Sequence, residues 1–449
     1  MEQPDFKTLS TNVHRFIHPP PQGYNVWRDV CAMLPPATRH IVSAASPALR
    51  LEALGTSITR STDLHGRLWW WKQLPAVSVH LFNPVERDVT TAFDHLRMEI
   101  LRIDVTPLAN LSVLDASTAA TQKEFLRKID LNGCDRVGDR HVEHFPMFRF
   151  VTAVRLIGCG AVETAGMVSL ASMASLELLV LGGCGDVTNA GIAALSQAPK
   201  LRYLTLQGVF TVTPDGLLPL CHMDTLIQLS LGSTMVSLEP FLAQLASNCC
   251  SGTGSILQRL VLNPSGLSVE AVKLLCTISS LEHLSVSMYS TVCNDESLLH
   301  IHQLISLKSL LLRDQPEISK VSLGAIAQLS HLTTLDISYC KGVTSDAFAQ
   351  LGALVKLRTF YVEGHPKLTD NDMTIVLTPM THMMHLKLNG CRLLTHKTLV
   401  LLRGMKYLRT LGLRSCVGMA GSFGVDQLKA ARSSRVDSRG RELTLLVDQ

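Results

Sequence analysis

A nine-residue pattern, L-x-x-L-x-L-x-x-C, recurs along most of this chain at intervals close to 25 residues. It begins with Leu126, Ile129, Leu131 and Cys134, then returns as Val151/Val154/Leu156/Cys159 and Leu176/Leu179/Leu181/Cys184. Leu201/Leu204/Leu206 and Leu226/Leu229/Leu231 hold the interval, and after a 31-residue step the series resumes at Leu257/Leu260/Leu262. Copies starting at Leu281, Leu307, Leu332, Leu357, Met383 and Leu408 bring the total to twelve. One such copy cannot bury its own apolar face, so neighbouring copies must stack into a continuous core.

Within each copy the L-x-L centre alternates with period two, as a half-buried strand does. A second apolar set follows at helical spacing. In Thr188-Asn189-Ala190-Gly191-Ile192-Ala193-Ala194-Leu195, Thr188 is placed to cap a helix that buries Ile192 and Leu195. The segments 343–348 and 368–373 repeat that start signal. The expected fold class is α/β, a curved solenoid with parallel strands on its concave side and helices on its convex side. The longer step before Leu257 contains SNCCSGTGS, which reads as a loop protruding from the array.

Composition narrows the function classes. With 46% hydrophobic and 17% charged residues the chain is too apolar to be disordered. Its 41 basic and 37 acidic residues are interspersed, a balance that does not point to nucleic acid or an anionic membrane as the main partner. No apolar run reaches the roughly 18 residues of a membrane span. The opening MEQPDFKTLSTNVHRFIHPPPQGY lacks the continuous apolar core of a secretion signal. Six of the twelve cysteines occupy the ninth repeat position and none forms a Cys-x-x-Cys pair, so small packed thiols in a reducing compartment, cytosol or nucleus, are expected. Rungs about 5 Å apart would also allow a disulfide or part of a metal site at Cys134, Cys159 and Cys184, but one packing role accounts for all six. His382 and His385 have no matching cysteine or histidine cluster. No phosphate, hydrolase or zinc signature occurs, and the expectation is a non-enzyme without cofactor or metal.

The cadence of LELLVLGGCGDVTNAG resembles the cysteine-containing leucine-rich repeats of F-box leucine-rich-repeat proteins, over about residues 126–420. Ahead of the repeats, residues 26–75 form a separate small helical unit. Val30-Cys31-Ala32-Met33-Leu34-Pro35-Pro36, then Ile41 to Ser46, then Leu68-Trp69-Trp70-Trp71 resemble a degenerate F-box. By that resemblance Leu34, Pro35 and Ile41 would face a Skp-type adaptor of a cullin ubiquitin ligase. The family's Val-Cys-x-x-Trp segment is missing, so a plain helical cap or another docking module stands as the alternative. Residues 1–25 read as a flexible segment and 76–125 as an irregular N-terminal cap with a strand at Met98-x-x-Leu101-x-Ile103. Residues 421–449 read as a C-terminal cap, with the basic loop KAARSSRVDSRGR leading to a closing strand over 442–447.

The third, fifth and seventh repeat positions should line the concave face, where a protein partner is expected. Early copies place Ile157, Leu178 and Val180 there as an apolar patch, followed by Tyr203, Arg259 and His283. Later copies add a charged stripe of Arg313, Asp336, Glu363 and Lys387 beside Tyr361, His385 and Arg414. Tyr203, Tyr361 and Arg414 are the expected anchors, since aromatic residues and arginine dominate interface hot spots. Two functions fit this reading: a substrate-recognition adaptor in ubiquitin ligation, or a scaffold subunit of a large assembly.

Overall fold

The computed structural model describes residues 77–82, 98–104, 124–184, 187–208, 211–232, 237–251, 256–263, 267–286, 293–419 and 446–448. They divide between a first unit ending at Leu201 and a second beginning at Arg202. In the first unit, β1 (Val77–Phe82), β2 (Met98–Asp104), β3 (Lys128–Asn132), β4 (Ala153–Ile157) and β5 (Leu178–Gly182) pair in parallel, each with the next in sequence. The connecting segments carry α1 (Asp139–Val142), α2 (Thr164–Ala171) and α3 (Asn189–Leu195). Register aligns like with like: Ile129 faces Val154, which faces Leu179, and all three are buried.

The second unit continues the plan with β6 (Tyr203–Gln207), β7 (Gln228–Gly232), β8 (Arg259–Asn263), β9 (His283–Val286), β10 (Ser309–Leu311), β11 (Thr334–Asp336), β12 (Thr359–Tyr361), β13 (His385–Lys387), β14 (Thr410–Gly412) and β15 (Leu446–Asp448). These too pair in parallel and in order. Between them lie α4 (Glu239–Ser251), α5 (Val269–Cys276), α6 (Lys320–Ile326), α7 (Ser345–Phe348), α8 (Asp370–Leu377) and α9 (His396–Arg403). Other connections are 3-10 turns; that at Pro214–His222 contains Pro219, which cannot donate the amide an α-helix needs. The chain is therefore an α/β leucine-rich-repeat solenoid, in which parallel strands alternate with helices and 3-10 turns.

Both cap strands have counterparts. β2 covers Met98, Leu101 and Ile103, with Leu101 buried, and β15 pairs with β14 at the closing position. β1, one rung earlier, is not announced by the repeat template. The SNCCSGTGS stretch departs from its expectation as a protruding loop, because Ser247 to Ser251 complete α4. The apolar spacing of Leu238, Phe241, Leu242 and Leu245 carries the helix on, all four being buried. The Asn248 amide then donates to the Cys221 carbonyl at 2.8 Å and anchors the last turn. Residues 1–76, with the F-box-like segment and the tryptophan cluster, and the basic loop lie outside the described residues.

Two polar devices tie rung to rung. Thr188 caps α3 by accepting from Gly191 N, as its placement implied, and Thr369 forms a full capping box with Asp372. Thr344 makes no such cap and instead donates to Asp346. Carboxylates also cap the helix of the following rung. Asp295 accepts from the amides of Ser319 and Ser322, and Asp370 from those of Thr395 and Thr398. Burial raises the carboxyl pKa of both, but the bonds from these serines and threonines outweigh it and hold them below the ordinary range.

The second device is the ninth-position thiol. Cys340, Cys391 and Cys416 donate to the carbonyls of Leu312, Val362 and Leu388 in the preceding rung, at 3.0, 3.2 and 3.0 Å. Burial pushes the thiols of Cys340 and Cys391 up to about 12, so they remain S–H donors. Where the pattern has His365, its Nε2–H takes over the same task and donates to the Ile337 carbonyl at 2.8 Å. None of the ten cysteines whose side chains are described is in a disulfide. Among the described residues no group of three or more His, Cys, Asp or Glu could hold a metal, and no helix is long and apolar enough to cross a membrane.

Candidate functional site

In nine described rungs the turn leaving the strand bends sharply, and the eighth repeat position takes a positive φ to do so. Glycine supplies it at Gly133, Gly158, Gly183, Gly208, Gly364 and Gly390, where the missing Cβ removes the steric penalty. Three rungs of the second unit use other residues: Asp314 at φ 60°, Tyr339 at 62° and Ser415 at 59°. A tyrosine in the left-handed region is an outlier, tolerated where surrounding contacts fix it. Those contacts define the most organised polar cluster on the strand face.

Arg313 lies over the Tyr339 ring, its guanidinium carbon 4.8 Å from the ring centre. Its nitrogens approach Asp314 at 3.6 Å, Asp336 at 4.0 Å and Glu363 at 3.7 Å. Glu363 also approaches Lys387 Nζ at 3.9 Å and accepts from the Tyr339 hydroxyl at 3.4 Å. Lys387 in turn sits 4.6 Å from the centre of the Tyr361 ring. Ser338 ties both rungs together from below, its N–H donating to the Asp336 carboxylate and its hydroxyl accepting from the Glu363 backbone N–H. Burial and the Glu363 charge keep the Tyr339 phenol above its ordinary pKa, so it stays a neutral donor.

The result is a layered site. Asp336 and Glu363 were expected as part of an exposed stripe, but they are buried, with Glu363 only 6% exposed. The side chains of Arg313 and Lys387 remain 41% and 46% exposed above them. Each pair joins a half-exposed cation to a buried carboxylate, so its attraction is largely offset by desolvation and the network acts mainly to fix where the two cations point. Cations held over rings, with their counter-ions already in place, have little conformational freedom left to lose. No nucleophile and paired base meet here.

The remaining expected residues are placed as follows. In the first unit Ile157, Leu178 and Val180 are half-buried on the face of β4 and β5, beside the Arg155–Asp130 pair at 3.8 Å. In the second unit Tyr203 is half-buried, and exposed Arg259 is in register with His283. Burial and the Arg259 charge hold the His283 imidazole below its ordinary pKa. His385 bonds to the Thr410 hydroxyl at 2.7 Å, while His382 stacks on Tyr407 with ring centres 5.5 Å apart. Those two histidines therefore serve different neighbours. Arg414 is exposed, and its amide donates to Asn389. Leu34, Pro35 and Ile41 lie outside the described residues. Tyr339 was not among the expected residues, although a bulky side chain at a position otherwise given to glycine is visible in the sequence.

No protein-family model and no curated protein matches the chain. Solved structures of similar fold include an internalin from Listeria monocytogenes str. 4b F2365, at 14% identity and a TM-score of 0.40, covering 82% of this chain and 93% of that one. The Rad7–Elc1 complex in yeast matches at 13% identity and TM-score 0.47, covering 99% and 98%. The TLR13–ssRNA13 complex matches at 15% identity and TM-score 0.43, covering 86% of this chain and 59% of that one. These likenesses concern fold alone.

Proposed function

We propose that this protein is a non-catalytic recognition module, binding a protein partner on its strand face through Arg313, Tyr339, Tyr361 and Lys387. The observation that carries this reading is the fixing of Arg313 across Tyr339 by Asp336 and Glu363 while its side chain stays 41% exposed. An arginine and a tyrosine so ordered match the residue types that dominate protein interfaces. The apolar patch at Ile157, Leu178 and Val180 in the first unit, with Tyr203, Arg259, His283, His385 and Arg414 in the second, supplies further contacts.

The finer role is that of a substrate-recognition adaptor, with residues 26–75 engaging a Skp-type subunit of a cullin ubiquitin ligase. Its support is the sequence resemblance at Leu34, Pro35 and Ile41. The test is affinity purification of the full chain with cross-linking, comparing wild type, Leu34→Asp and Arg313→Ala. Recovery of a Skp-type protein that disappears with Leu34→Asp supports the adaptor role. A partner cross-linked near Lys387 and lost with Arg313→Ala supports the strand-face site. Stable recovery in a large complex without a Skp-type protein would replace the adaptor with a scaffold.

A further inference from the structure

Charge is segregated within the second unit in a way that repeat geometry exposes. The residue just before each strand's first apolar contact is linked to its counterpart one rung on: Thr333 N donates to the Lys308 carbonyl, Arg358 N to Thr333, Met384 N to Arg358 and Arg409 N to Met384. Lys308, Thr333, Arg358, Met384 and Arg409 are thus one column along the edge where the chain enters its strands. Rungs keep strand spacing of about 4.8 Å, which sets Arg358 and Arg409 roughly 10 Å apart. Lys356, His331, His382 and Lys406 lie on the same entering segments, Lys356 Nζ being 3.3 Å from His331 Nδ1.

Acidic groups are missing from this edge beyond Glu282, the column's member one rung before Lys308. The segments 300–312, 326–335, 349–361, 375–388 and 400–413 contain no aspartate or glutamate. Among the described residues, Lys308 alone in the column has an ion pair, with Glu282 at 2.7 Å, and no carboxylate pairs with Lys356, Arg358, Lys406 or Arg409. Four of the unit's carboxylates, Asp295, Asp346, Asp370 and Asp372, are engaged at helix starts.

The edge also has shape. Thr333, Val355, Lys356, Arg358, Pro379 and His382 line a shallow groove of about 370 Å³. Apolar groups are interleaved with the cations: Ile305 is 70% exposed, Val355 50% and Tyr407 49%. We propose that this edge is a second docking surface, separate from the strand face, for an acidic peptide segment carrying apolar side chains. Unpaired cations would meet its carboxylates, and Val355, Pro379 and Tyr407 its apolar residues. A peptide is favoured over nucleic acid because Ile305, Val355 and Pro379 are not flat rings, and the aromatic pair present, His382 and Tyr407, stacks on itself rather than opening a slot for bases.

The test uses the full chain and fluorescence anisotropy with a short labelled peptide alternating Glu and Leu, beside a pure polyglutamate and an oligothymidylate. The alternating peptide is expected to bind more tightly than either, and to weaken about tenfold in Lys356→Glu/Arg358→Glu and as salt rises. Both side chains are exposed, so the melting temperature should hold; Lys356→Gln/Arg358→Gln should weaken binding by a smaller factor in the same direction. Tyr361→Ala, on the strand face, should leave this binding unchanged. Equal binding of polyglutamate would reduce the edge to bulk charge attraction and overturn the proposal. Tighter binding of the oligothymidylate would do so in favour of nucleic acid.

Discussion

The ring of Tyr339 fills the space that a side chain at Gly364 would need: a Cβ built on Gly364 would overlap Cδ1 and Cε1 of that ring. Gly364 also takes φ +71°, where any L side chain is strained. Gly364→Ala should therefore destabilise by about 1–3 kcal/mol, combining backbone strain with the clash. Adding Tyr339→Ala should recover the clash component, so the double mutant should be more stable than the sum of the single effects implies. Chemical melts of the four proteins check this, and additivity within about 0.5 kcal/mol would mean that ring and glycine do not touch in solution.

The ninth-position donor makes a second test, because a thiol and an imidazole do the same work there. Cys391→Ala removes the S–H bond to the Val362 carbonyl and leaves that buried acceptor unpaired, which should cost about 1–3 kcal/mol. Cys391→Ser restores a donor and should recover part of the loss. Native-state alkylation should be slow at Cys340 and Cys391, whose pKa values near 12 and burial suppress the thiolate. Labelling of these two at the rate of the unfolded chain would contradict their role as buried donors.

Stability should fall in two stages as pH drops. Burial holds His365 below its ordinary pKa, against the raising effect of its bond to Ile337. The unfolded chain, with a histidine near 6.5, takes up that proton first, so stability declines as pH falls below about 6.5. The carboxyls of Asp295 and Asp370 are likewise lower in the folded chain, and their stabilisation, full above about pH 4, is lost as pH falls further. His365→Cys replaces the imidazole with the donor other rungs use and should shrink the first stage without touching the second, the rest of the first stage coming from His283 and His385, whose pKa values are also lowered by burial. Denaturant melts across this range read the difference; an unchanged slope near pH 6 would show that His365 titrates normally.

Much of the architecture is legible because the repeat encodes the same decision twelve times. Alternation at Leu179 and Leu181 fixes which side of β5 is buried, and the spacing of Ile192 and Leu195 fixes the helix face behind it. The template loses authority where one residue meets two demands. Gly/Ser-rich composition after Leu245 reads as a loop, yet the preceding apolar spacing and Asn248's bond to Cys221 carry α4 through Ser251. At the candidate site Arg313 and Tyr361 are half-buried and Lys387 is exposed, but alternation says nothing of depth. Asp336 and Glu363 point outward and are still buried, because Arg313, Lys387 and Tyr339 close over them. Tyr339 escapes a period-two rule because it stands in the turn, outside the strand.

The strand face itself is tested through Tyr361 and Lys387, which act as a pair because the ammonium rests 4.6 Å from the ring centre. Truncating Tyr361 to Ala removes both an aromatic contact and the support that orients Lys387, and should weaken the partner identified by cross-linking by about 2 kcal/mol. The melt should move less than binding does, since Tyr361 is only half-buried. Lys387→Glu should act mainly on the association rate and fade as salt rises, because a rim charge is screened over roughly 8 Å at physiological ionic strength. It also places a second carboxylate beside buried Glu363, so Lys387→Gln separates lost attraction from new repulsion. Titration calorimetry and stopped-flow binding together read these effects. A partner that binds both variants like the wild type at low salt does not use this face, and Lys356→Glu/Arg358→Glu would then decide whether it uses the basic edge.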